Sequence, residues 1–254
     1  MKIIRTPKDM QLYVKSLKQN AKQPTIGFVP TMGYFHDGHL TLMRSAKEEN
    51  DCVIVSVFVN PLQFGANEDL DTYPRDEQRD IELAQSNGVD VLFMPSVHDM
   101  YPNPMSAQIH ITSRVDCLCG KHRPGHFDGV ATVLMKLFNI VQPTRAYFGL
   151  KDAQQYAVVD GLINDFNFPI QLIGIETIRE PSGLAKSSRN VHLSDRERKE
   201  ADELYRSLKI GQQCVIQGHK DPTLIQETIK IHLKNHTSGK IEYVDIFSFP
   251  DLKP

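Results

Sequence analysis

The apolar run over residues 52–59 places the strongest constraint on how this chain can fold. It reads Cys-Val-Ile-Val-Ser-Val-Phe-Val, so Ser56 is its single polar side chain. A strand with one face in water alternates apolar and polar residues, whereas a parallel strand buried on both faces is apolar throughout. The run therefore predicts a central strand of a parallel sheet that is covered by helices on both faces.

Strand-like and helix-like segments alternate on either side of this run. The other strand-like runs are residues 25–29, 89–94, 145–148 and 170–175, and the helix-like runs are residues 7–22, 39–49, 76–87, 130–141 and 152–164. Alternation of this kind predicts βαβ units. We therefore expect an α/β domain over residues 1–177, with a Rossmann-like parallel sheet and helices on both faces. Ligands of such sheets bind beyond the carboxyl ends of the strands.

The character of the sequence changes near residue 178. Ser194 and Glu197 have the spacing of a capping box at a helix start, and Asp221 precedes a proline that favours a second helix over residues 223–235. Alternating residues over 240–249 predict a strand. We therefore expect a small α+β domain over residues 178–254, which closes over the ligand of the sheet through its loop at residues 183–190.

Composition limits the classes of protein to which the chain can belong. Its 254 residues are 40% apolar, which suffices for a large domain and a smaller one. A net charge of −2 argues against a general nucleic-acid binder. No apolar run approaches the length of about 18 residues that a membrane helix needs, and residues 1–7 lack the apolar core of a signal peptide. We expect a cytoplasmic protein with no nucleic-acid or membrane partner.

The cysteines do not form a recognisable metal site. Cys117 and Cys119 are separated by one residue, whereas common zinc pairs are separated by about two to four. His122 and His126 follow closely, but a second pair at zinc spacing is missing from the sequence. The pattern therefore favours reduced thiols over a dedicated metal site.

Two histidines lie in the turn that joins the strand-like run at residues 25–29 to the helix-like run that begins at residue 39. His36 and His39 are accompanied by Gly33 and Gly38 in this turn. The first turn of a helix carries unpaired N–H groups and the positive end of the helix dipole, which together favour a phosphate. Imidazole N–H groups can add further donors, and the glycines let the backbone approach a nucleotide. A histidine pair at this spacing is a weak motif alone, but its position predicts phosphate binding.

Five strings in a fixed order extend this observation. They are residues 30–39 (Pro-Thr-Met-Gly-Tyr-Phe-His-Asp-Gly-His), 58–64 with its continuation at 69–75, 123–130, 149–155 and 186–190 (Lys-Ser-Ser-Arg-Asn). In this order they resemble the pantoate–β-alanine ligase family, nucleotidyltransferases with a His-x-Gly-His-type motif. The resemblance implies ATP-dependent condensation of (R)-pantoate with β-alanine to pantothenate, AMP and pyrophosphate, through a pantoyl adenylate.

The resemblance also implies which residues bind ATP. His36, His39 and Lys151 would act in catalysis by stabilising the pyrophosphate that leaves. The residues expected to bind ATP are Met32, Gly33, His36, Gly38, His39, Gly149, Leu150, Lys151, Asp152, Ile178, Lys186, Ser187, Ser188 and Arg189. Family members often have glutamate at the position of Leu150 and methionine at the position of Lys186. The roles of the neighbouring residues therefore carry over more directly than those of Leu150 and Lys186.

Two glutamines are implied in recognition of the acid. Gln63 and Gln155 are assigned to pantoate, and Gln63 also to β-alanine. Neutral amides can bind the pantoate hydroxyls without competing for its carboxylate, which must remain available to attack phosphorus. Asn60, Tyr73 and His126 are further substrate-binding candidates, with Arg123 beside them. Tyr73 and His126 could equally belong to the core or to the rim of the site.

The resemblance has consequences for ligands and assembly. ATP is expected as a substrate with Mg²⁺ on its phosphates, without a protein metal site or a tightly bound organic cofactor. A homodimer is expected, and related chains continue beyond Pro254. Two alternatives remain at this stage: a different adenylyl- or cytidylyltransferase, and a nucleotide-sensing module without turnover. The paired glutamines argue against the first, and the set His36, His39, Lys151 and Ser187 argues against the second.

Overall fold

A parallel sheet forms the centre of the molecule in the computed structural model, which describes residues 1–19, 23–66 and 68–254. Its strands within these residues are β1 (Lys2–Ile4), β2 (Ile26–Thr31), β3 (Cys52–Val57), β4 (Val91–Phe93), β5 (Arg145–Gly149) and β6 (Gln171–Ile175). They pair in the order β1-β4-β3-β2-β5-β6, and every neighbouring pair is parallel. The predicted Rossmann-like α/β fold is confirmed.

Helices connect the strands and extend beyond the sheet. They are α1 (Pro7–Lys18), α2 (Asp37–Glu49), α3 (Glu77–Ser86), α4 (Val97–Met100), α5 (Leu118–His122), α6 (His126–Val141), α7 (Ala153–Asp165), α8 (Asp195–Ile216) and α9 (Pro222–His236). Short 3₁₀ turns lie at Pro61–Gln63, Leu150–Asp152 and Ser188–His192. The predicted capping box is present at α8, where Ser194 and Glu197 cap each other's backbone N–H groups.

The strand β3 is buried on both faces, as its composition predicts. Cys52 and Ile54 join one hydrophobic cluster, with α1, α6 and α7. Val53 and Val55 point to the opposite face and join a second cluster, with α2 and α3. Side chains alternate between the two faces of a strand, so an unbroken apolar run serves two layers of helices at once.

The order of the strands locates the binding crevice. The chain moves outward from β2 through β3 to β4 and then returns to place β5 on the other side of β2. In open parallel sheets, ligands bind outside the carboxyl ends of the strands at the point where the direction reverses. The turn after β2 and the turn after β5 meet at this point.

The boundaries of several elements differ from the sequence predictions. The edge strand β1 was not predicted, because it has only 3 residues and too short a pattern to recognise. The helix α6 begins at His126, ahead of the predicted start at residue 130, because Gly125 turns the chain with a positive φ of 79°. The helix α1 ends at Lys18, and residues 20–22 of the predicted helix lie outside the described residues.

The C-terminal region contains the two predicted helices, but the predicted strand over residues 240–249 is wrong. The helices α8 and α9 pack around a small cluster of Ile225, Ile229 and Leu233. Residues 240–248 have no regular secondary structure. Two aromatic side chains of the predicted strand make separate contacts: Tyr243 stacks on His122, and Phe249 packs against Tyr156. The alternating pattern thus reflects side-chain contacts rather than pairing in a sheet. The division of the chain at residue 178 stays a prediction.

Candidate active site

The two histidines of the turn after β2 cap the helix α2 together. His36 is the N-cap residue, and its Nδ1 accepts a hydrogen bond from the backbone N–H of Gly38 at 3.1 Å. The Nδ1 of His39 accepts from the backbone N–H of His36 at 3.3 Å. A neutral imidazole carries its single proton on the nitrogen that is not the acceptor. Each ring therefore offers its Nε2–H as a donor.

Burial keeps both rings neutral. Burial, and next the positive charge of Lys151, lower the pKa of His36 from 6.5 to about 4. Burial lowers the pKa of His39 well below its usual value, and the neighbouring His36 adds to this effect. The two ring centroids are 4.1 Å apart. The pair is therefore a set of neutral hydrogen-bond donors near pH 7, and Lys151 supplies the positive charge.

One cavity brings together most of the predicted site residues. It lies at the carboxyl ends of β2, β5 and β6, beneath the loop at residues 186–189. The predicted residues in its wall are Met32, His36, Gly38, His39, Gln63, Tyr73, Gly149, Lys151, Asp152, Gln155, Ile178, Lys186, Ser187, Ser188 and Arg189. Five other predicted residues lie outside that wall: Gly33, Asn60, Arg123, Leu150 and His126.

The end of β5 leaves open space in the cavity. Gly149 has an ordinary φ of −78°, so its backbone does not require glycine. A Cβ atom at this position would meet no atom within 4 Å. The lack of a side chain therefore adds room to the cavity rather than relieving a clash. Beyond it, the Lys151 Nζ atom contacts Asp152 Oδ1 at 2.9 Å, whereas the neighbouring Leu150 packs toward Gly174 of β6.

The loop at residues 186–189 is fastened across the cavity by three side chains. Lys186 forms an ion pair with Asp37 at 3.0 Å. The Ser188 hydroxyl donates to the backbone carbonyl of Tyr34 at 3.1 Å. These two contacts hold the loop against the histidine turn.

Arg189 makes the third contact of this loop. Its Nε and Nη2 atoms donate to the two carboxylate oxygens of Asp69 at 2.6 and 2.9 Å. This bidentate geometry is the stronger form of a charge-assisted pair. The bonds hold the pKa of Asp69 below its usual value and raise that of Arg189. Phosphate oxygens in the cavity would therefore compete with Asp69 for the guanidinium.

Gln63 lies on the opposite side of the cavity, in the turn after β3. Its Nε2 contacts the sulfur of Met32 at 3.2 Å, and its Oε1 accepts from Asn60 Nδ2 at 3.2 Å. Asn60 is only 1% exposed and also donates to the carbonyl of Gly129 at 3.0 Å. Its Oδ1 accepts from the Tyr101 hydroxyl at 2.9 Å. In this geometry Asn60 holds Gln63 in place, and its direct contact with substrate stays a prediction.

His126 supports the backbone of the same turn. Its Nδ1 donates to the carbonyl of Gln63 at 2.8 Å, and its Nε2 faces Arg123 Nη1 at 3.0 Å. Burial lowers the pKa of His126. Arg123 in turn pairs with Glu68. Tyr73 lies in the cavity wall although it is buried, and it stacks beneath the guanidinium of Arg189 at 5.3 Å.

Comparison with known proteins identifies the family of this site. A family model for pantoate-beta-alanine ligase matches residues 2–254. This chain belongs to the pantoate–β-alanine ligase family. The match covers the five sequence strings and the C-terminal helices alike, so the resemblance deduced from the strings is confirmed.

Individual members of this ligase family are similar over nearly the whole chain. A pantothenate synthetase from Geobacillus sp. (strain WCH70) is 59% identical over 246 residues, which are 97% of this chain and 86% of the relative. The crystal structure of pantothenate synthetase from Thermus thermophilus has a TM-score of 0.93 at 42% identity and covers 100% of this chain and 90% of that one.

A third similar protein is a ligand complex. It is the pantoate-beta-alanine ligase from Francisella tularensis, solved with Beta-gamma ATP and Beta-alanine. Its TM-score is 0.79 at 40% identity, and the match covers 91% of this chain and 86% of that chain.

Several residues of this ligase site escaped the sequence analysis. The cavity also has an apolar part of its wall, and its residues are Phe58, Val130, Val133, Leu134 and Leu137. The carboxyl end of β6 adds Glu176 and Thr177 to the wall. A helix pattern marks residues 130–137 as apolar without indicating that some of them line a cavity. Asp80, which lies beneath the histidine turn, also escaped the sequence analysis. Its position could have indicated a role, because a carboxylate lies there on the buried stripe of α3, one helical turn before Ala84.

Gln154 and Gln155, which end the string at residues 149–155, have different positions in the ligase fold. Gln155 lines the cavity. Gln154 is buried and anchors the loop before α5, because its Nε2 donates to the carbonyls of Arg114 and Cys117 at 2.9 Å each. Its Oε1 accepts from the backbone N–H of Gly120 at 3.2 Å. The resemblance assigned Gln155 to the site, and the structure places it in the cavity wall, whereas sequence spacing alone does not distinguish the two glutamines.

The described part of the chain offers neither a metal-binding cluster nor a membrane-spanning helix. Among the described residues, no cluster of three or more His, Cys, Asp or Glu side chains is arranged to hold a metal ion. All four cysteines are free thiols. No helix in the described part of the chain combines the length and apolarity that a membrane span requires.

Proposed function

We propose that this chain condenses (R)-pantoate with β-alanine to pantothenate at the expense of ATP, which is cleaved to AMP and pyrophosphate. One observation carries the proposal: donors suited to a triphosphate and amides suited to a hydroxy acid line the same cavity. The Francisella tularensis relative, which was solved with Beta-gamma ATP and Beta-alanine, supports ATP and β-alanine as substrates.

The first step activates the acid. A carboxylate oxygen of pantoate attacks the α-phosphorus of ATP, a new P–O bond forms, and the bond to pyrophosphate breaks. Negative charge accumulates on the leaving pyrophosphate. The Nε2–H donors of His36 and His39 and the ammonium of Lys151 are suited to stabilise this charge, because oriented donors of this kind are typically worth about 10²–10³ in rate.

The second step forms the amide. The neutral amine of β-alanine attacks the acyl carbon of the pantoyl adenylate, the bond to AMP breaks, and the amine releases a proton to solvent. No covalent bond to the enzyme is needed. The contribution of the chain is to position the reactants and to stabilise charge.

The acid side of the cavity suits pantoate in particular. Pantoate has a branched apolar centre flanked by two hydroxyls and a carboxylate. Val130, Val133 and Leu134 present apolar surface, while Gln63 and Gln155 present amides that can donate to and accept from hydroxyls. We assign these two glutamines to pantoate and Gln63 also to β-alanine.

We extend the proposal to the form of the substrate and of the enzyme. ATP enters as its Mg²⁺ complex, in which phosphate oxygens and water supply most of the ligands. The reaction requires no organic cofactor. The enzyme acts in the cytoplasm as a homodimer, and the segment from residue 178 onward closes over ATP. Light scattering of the purified protein tests the dimer.

Pyrophosphate exchange into ATP tests the proposed reaction. With ATP, Mg²⁺ and pantoate, we expect exchange in the absence of β-alanine, because the adenylate forms first. Exchange that requires β-alanine would contradict the two-step order. Exchange that is equally fast without pantoate would point to a different nucleotidyltransferase, and nucleotide binding without any exchange would point to a sensing module.

Two adjacent variants test the assignment of pantoate to Gln155. In Gln155→Ala we expect weaker pantoate binding, with ATP affinity and thermal stability nearly retained, as measured by calorimetric titration and thermal unfolding. Gln154→Ala is the matched control. It leaves buried backbone groups unpaired and should cost about 1–3 kcal/mol of stability. An equal loss of affinity for pantoate and for ATP in Gln155→Ala would contradict the assignment.

A further inference from the structure

A buried carboxylate supports the turn that carries the histidines. Asp80 belongs to α3 and is 2% exposed. Its Oδ2 accepts the backbone N–H of Tyr34 and its Oδ1 accepts the backbone N–H of Phe35, each at 2.7 Å. The carboxylate thus satisfies two successive N–H groups that the change from strand to helix leaves without partners in regular structure.

The conformation of this turn explains why it needs such support. Gly33 has a φ of 85° and Tyr34 has a φ of 50°, so two successive residues have a left-handed backbone conformation. For a residue other than glycine this region is sparsely populated and is maintained by the surrounding structure. A Cβ atom on Gly33 would lie 2.8 Å from Asp80 Oδ2, so the carboxylate also requires glycine there. Asp80 and the turn are therefore fitted to each other.

The peptides held by Asp80 lead directly to the catalytic donors. The residue after Phe35 is His36, whose backbone N–H donates to His39 Nδ1 and so keeps the proton of that ring on Nε2. The Phe35 ring also packs against the ring of His39, with centroids 5.6 Å apart. A displacement of the peptides at Tyr34 and Phe35 would therefore disturb both rings.

The other side of the Tyr34 peptide faces the loop over ATP. Its carbonyl accepts the Ser188 hydroxyl at 3.1 Å, while its N–H is held by Asp80. The same short turn thus joins α3, the histidines and the closing loop.

We infer that Asp80 is a positioning residue for nucleotidyl transfer: it fixes the peptides before His36 and thereby sets the orientation and the Nε2–H tautomer of His36 and His39. The inference rests on the proposed function for its effect on rate. Its effect on the imidazoles follows from the turn alone.

A comparison of two variants, each of a carboxylate that accepts backbone N–H groups, tests the rate. Asp80→Asn replaces one acceptor by an amide NH₂ that faces a backbone N–H. Asp90→Asn is the matched control, because Asp90 also accepts a backbone N–H, that of Val53 at 2.8 Å, but lies at the amino end of β3. For Asp80→Asn we expect kcat of pantoate-dependent exchange to fall about 10–100-fold, since a misplacement of about 1 Å can cost about 10²-fold. KM values should change by less than about threefold, because the lost interactions act in the transition state.

Nitrogen NMR of the imidazoles gives a readout that a purely structural role would not move. The wild-type and Asp90→Asn spectra should show protonated Nε2 and unprotonated Nδ1 at His36 and His39, whereas Asp80→Asn should show exchange between tautomers. If Asp80→Asn does not fold, Asp80→Ser replaces it, because the hydroxyl keeps one acceptor in a smaller side chain.

Distinct outcomes separate the inference from the proposed function. An unchanged kcat and unchanged imidazole spectra in Asp80→Asn, with a loss of stability like that of Asp90→Asn, would overturn the inference. A protonated Nδ1 at either histidine of the wild type would also overturn it. If the wild type shows no pantoate-dependent exchange, the proposed function fails, and the spectra still decide the role of Asp80.

Discussion

At the scale of single residues, the end of the cavity that we assign to the phosphates separates hydrogen bonding from charge. His36 and His39 are neutral donors because burial opposes their protonation, and Lys151 is the cation beside them. A neutral donor can strengthen its bond as charge develops without attracting the ground-state triphosphate as strongly as a cation would. The proposed catalysis would benefit from this difference, because only interactions that are stronger in the transition state accelerate the reaction.

The lowered pKa of His36 predicts how stability depends on pH. Between its unfolded pKa of 6.5 and its folded pKa of about 4, the unfolded chain binds a proton that the folded chain does not. Stability from this group is therefore complete above the unfolded value and is lost as the pH falls toward the folded value. In His36→Gln we expect the free energy of unfolding to fall less steeply than in the wild type as the pH is lowered. Denaturant unfolding at several pH values measures this dependence. An imidazole resonance of His36 that titrates near its usual value, without nucleotide, would contradict this prediction.

At the scale of secondary-structure elements, close contact between α6 and the turn Pro61–Gln63 shapes the side of the cavity that we assign to pantoate. Gly129 allows the contact, because a Cβ atom on it would lie 2.1 Å from the carbonyl oxygen of Leu62 and 2.6 Å from the backbone nitrogen of Gln63. Both atoms belong to backbone, which cannot move aside as a side-chain end can. The approach of the helix and the position of Gln63 are therefore set together.

Gly129→Ala should damage both the fold and the acid site. We expect a loss of about 1–3 kcal/mol from overpacking, together with weaker pantoate binding, because Gln63 must shift. The control is Gly211→Ala in α8, where the added Cβ would meet the Cδ1 atom of Ile229 at 2.8 Å, the end of a flexible side chain. This control should retain pantoate affinity. Denaturant unfolding and calorimetric titration measure the two effects, and unchanged pantoate affinity in Gly129→Ala would show that Gln63 is not held by this contact.

At the scale of the whole molecule, apolar burial is unevenly distributed. Two large clusters cover the faces of the sheet, whereas α8 and α9 share a small cluster of Ile225, Ile229 and Leu233. Polar links supplement this small cluster: Glu203 of α8 is 9% exposed and accepts from His232 of α9 at 2.8 Å. Regions with few buried apolar contacts open at lower free energy than the core does.

Hydrogen exchange should reflect this distribution. We expect the amides of β2 and β3 to exchange most slowly, near the global unfolding rate, and those of α8 and α9 to exchange faster through local opening. Exchange measured by mass spectrometry at peptide resolution tests this order. Uniform protection of α8, α9 and the sheet would contradict it, and would also count against a separate unit beginning at residue 178.

The sequence by itself determined the type of sheet, the place of the histidine turn and the family. The apolar run of β3 and the turn at residues 30–39 are local patterns, and local patterns specify elements and their ends. Only the tertiary structure decided that Asp80 lies beneath the turn, that Gln154 anchors the loop before α5, and that residues 240–249 do not pair as a strand. These outcomes depend on contacts between residues far apart in the chain, and a periodic pattern does not state which partner a side chain will meet.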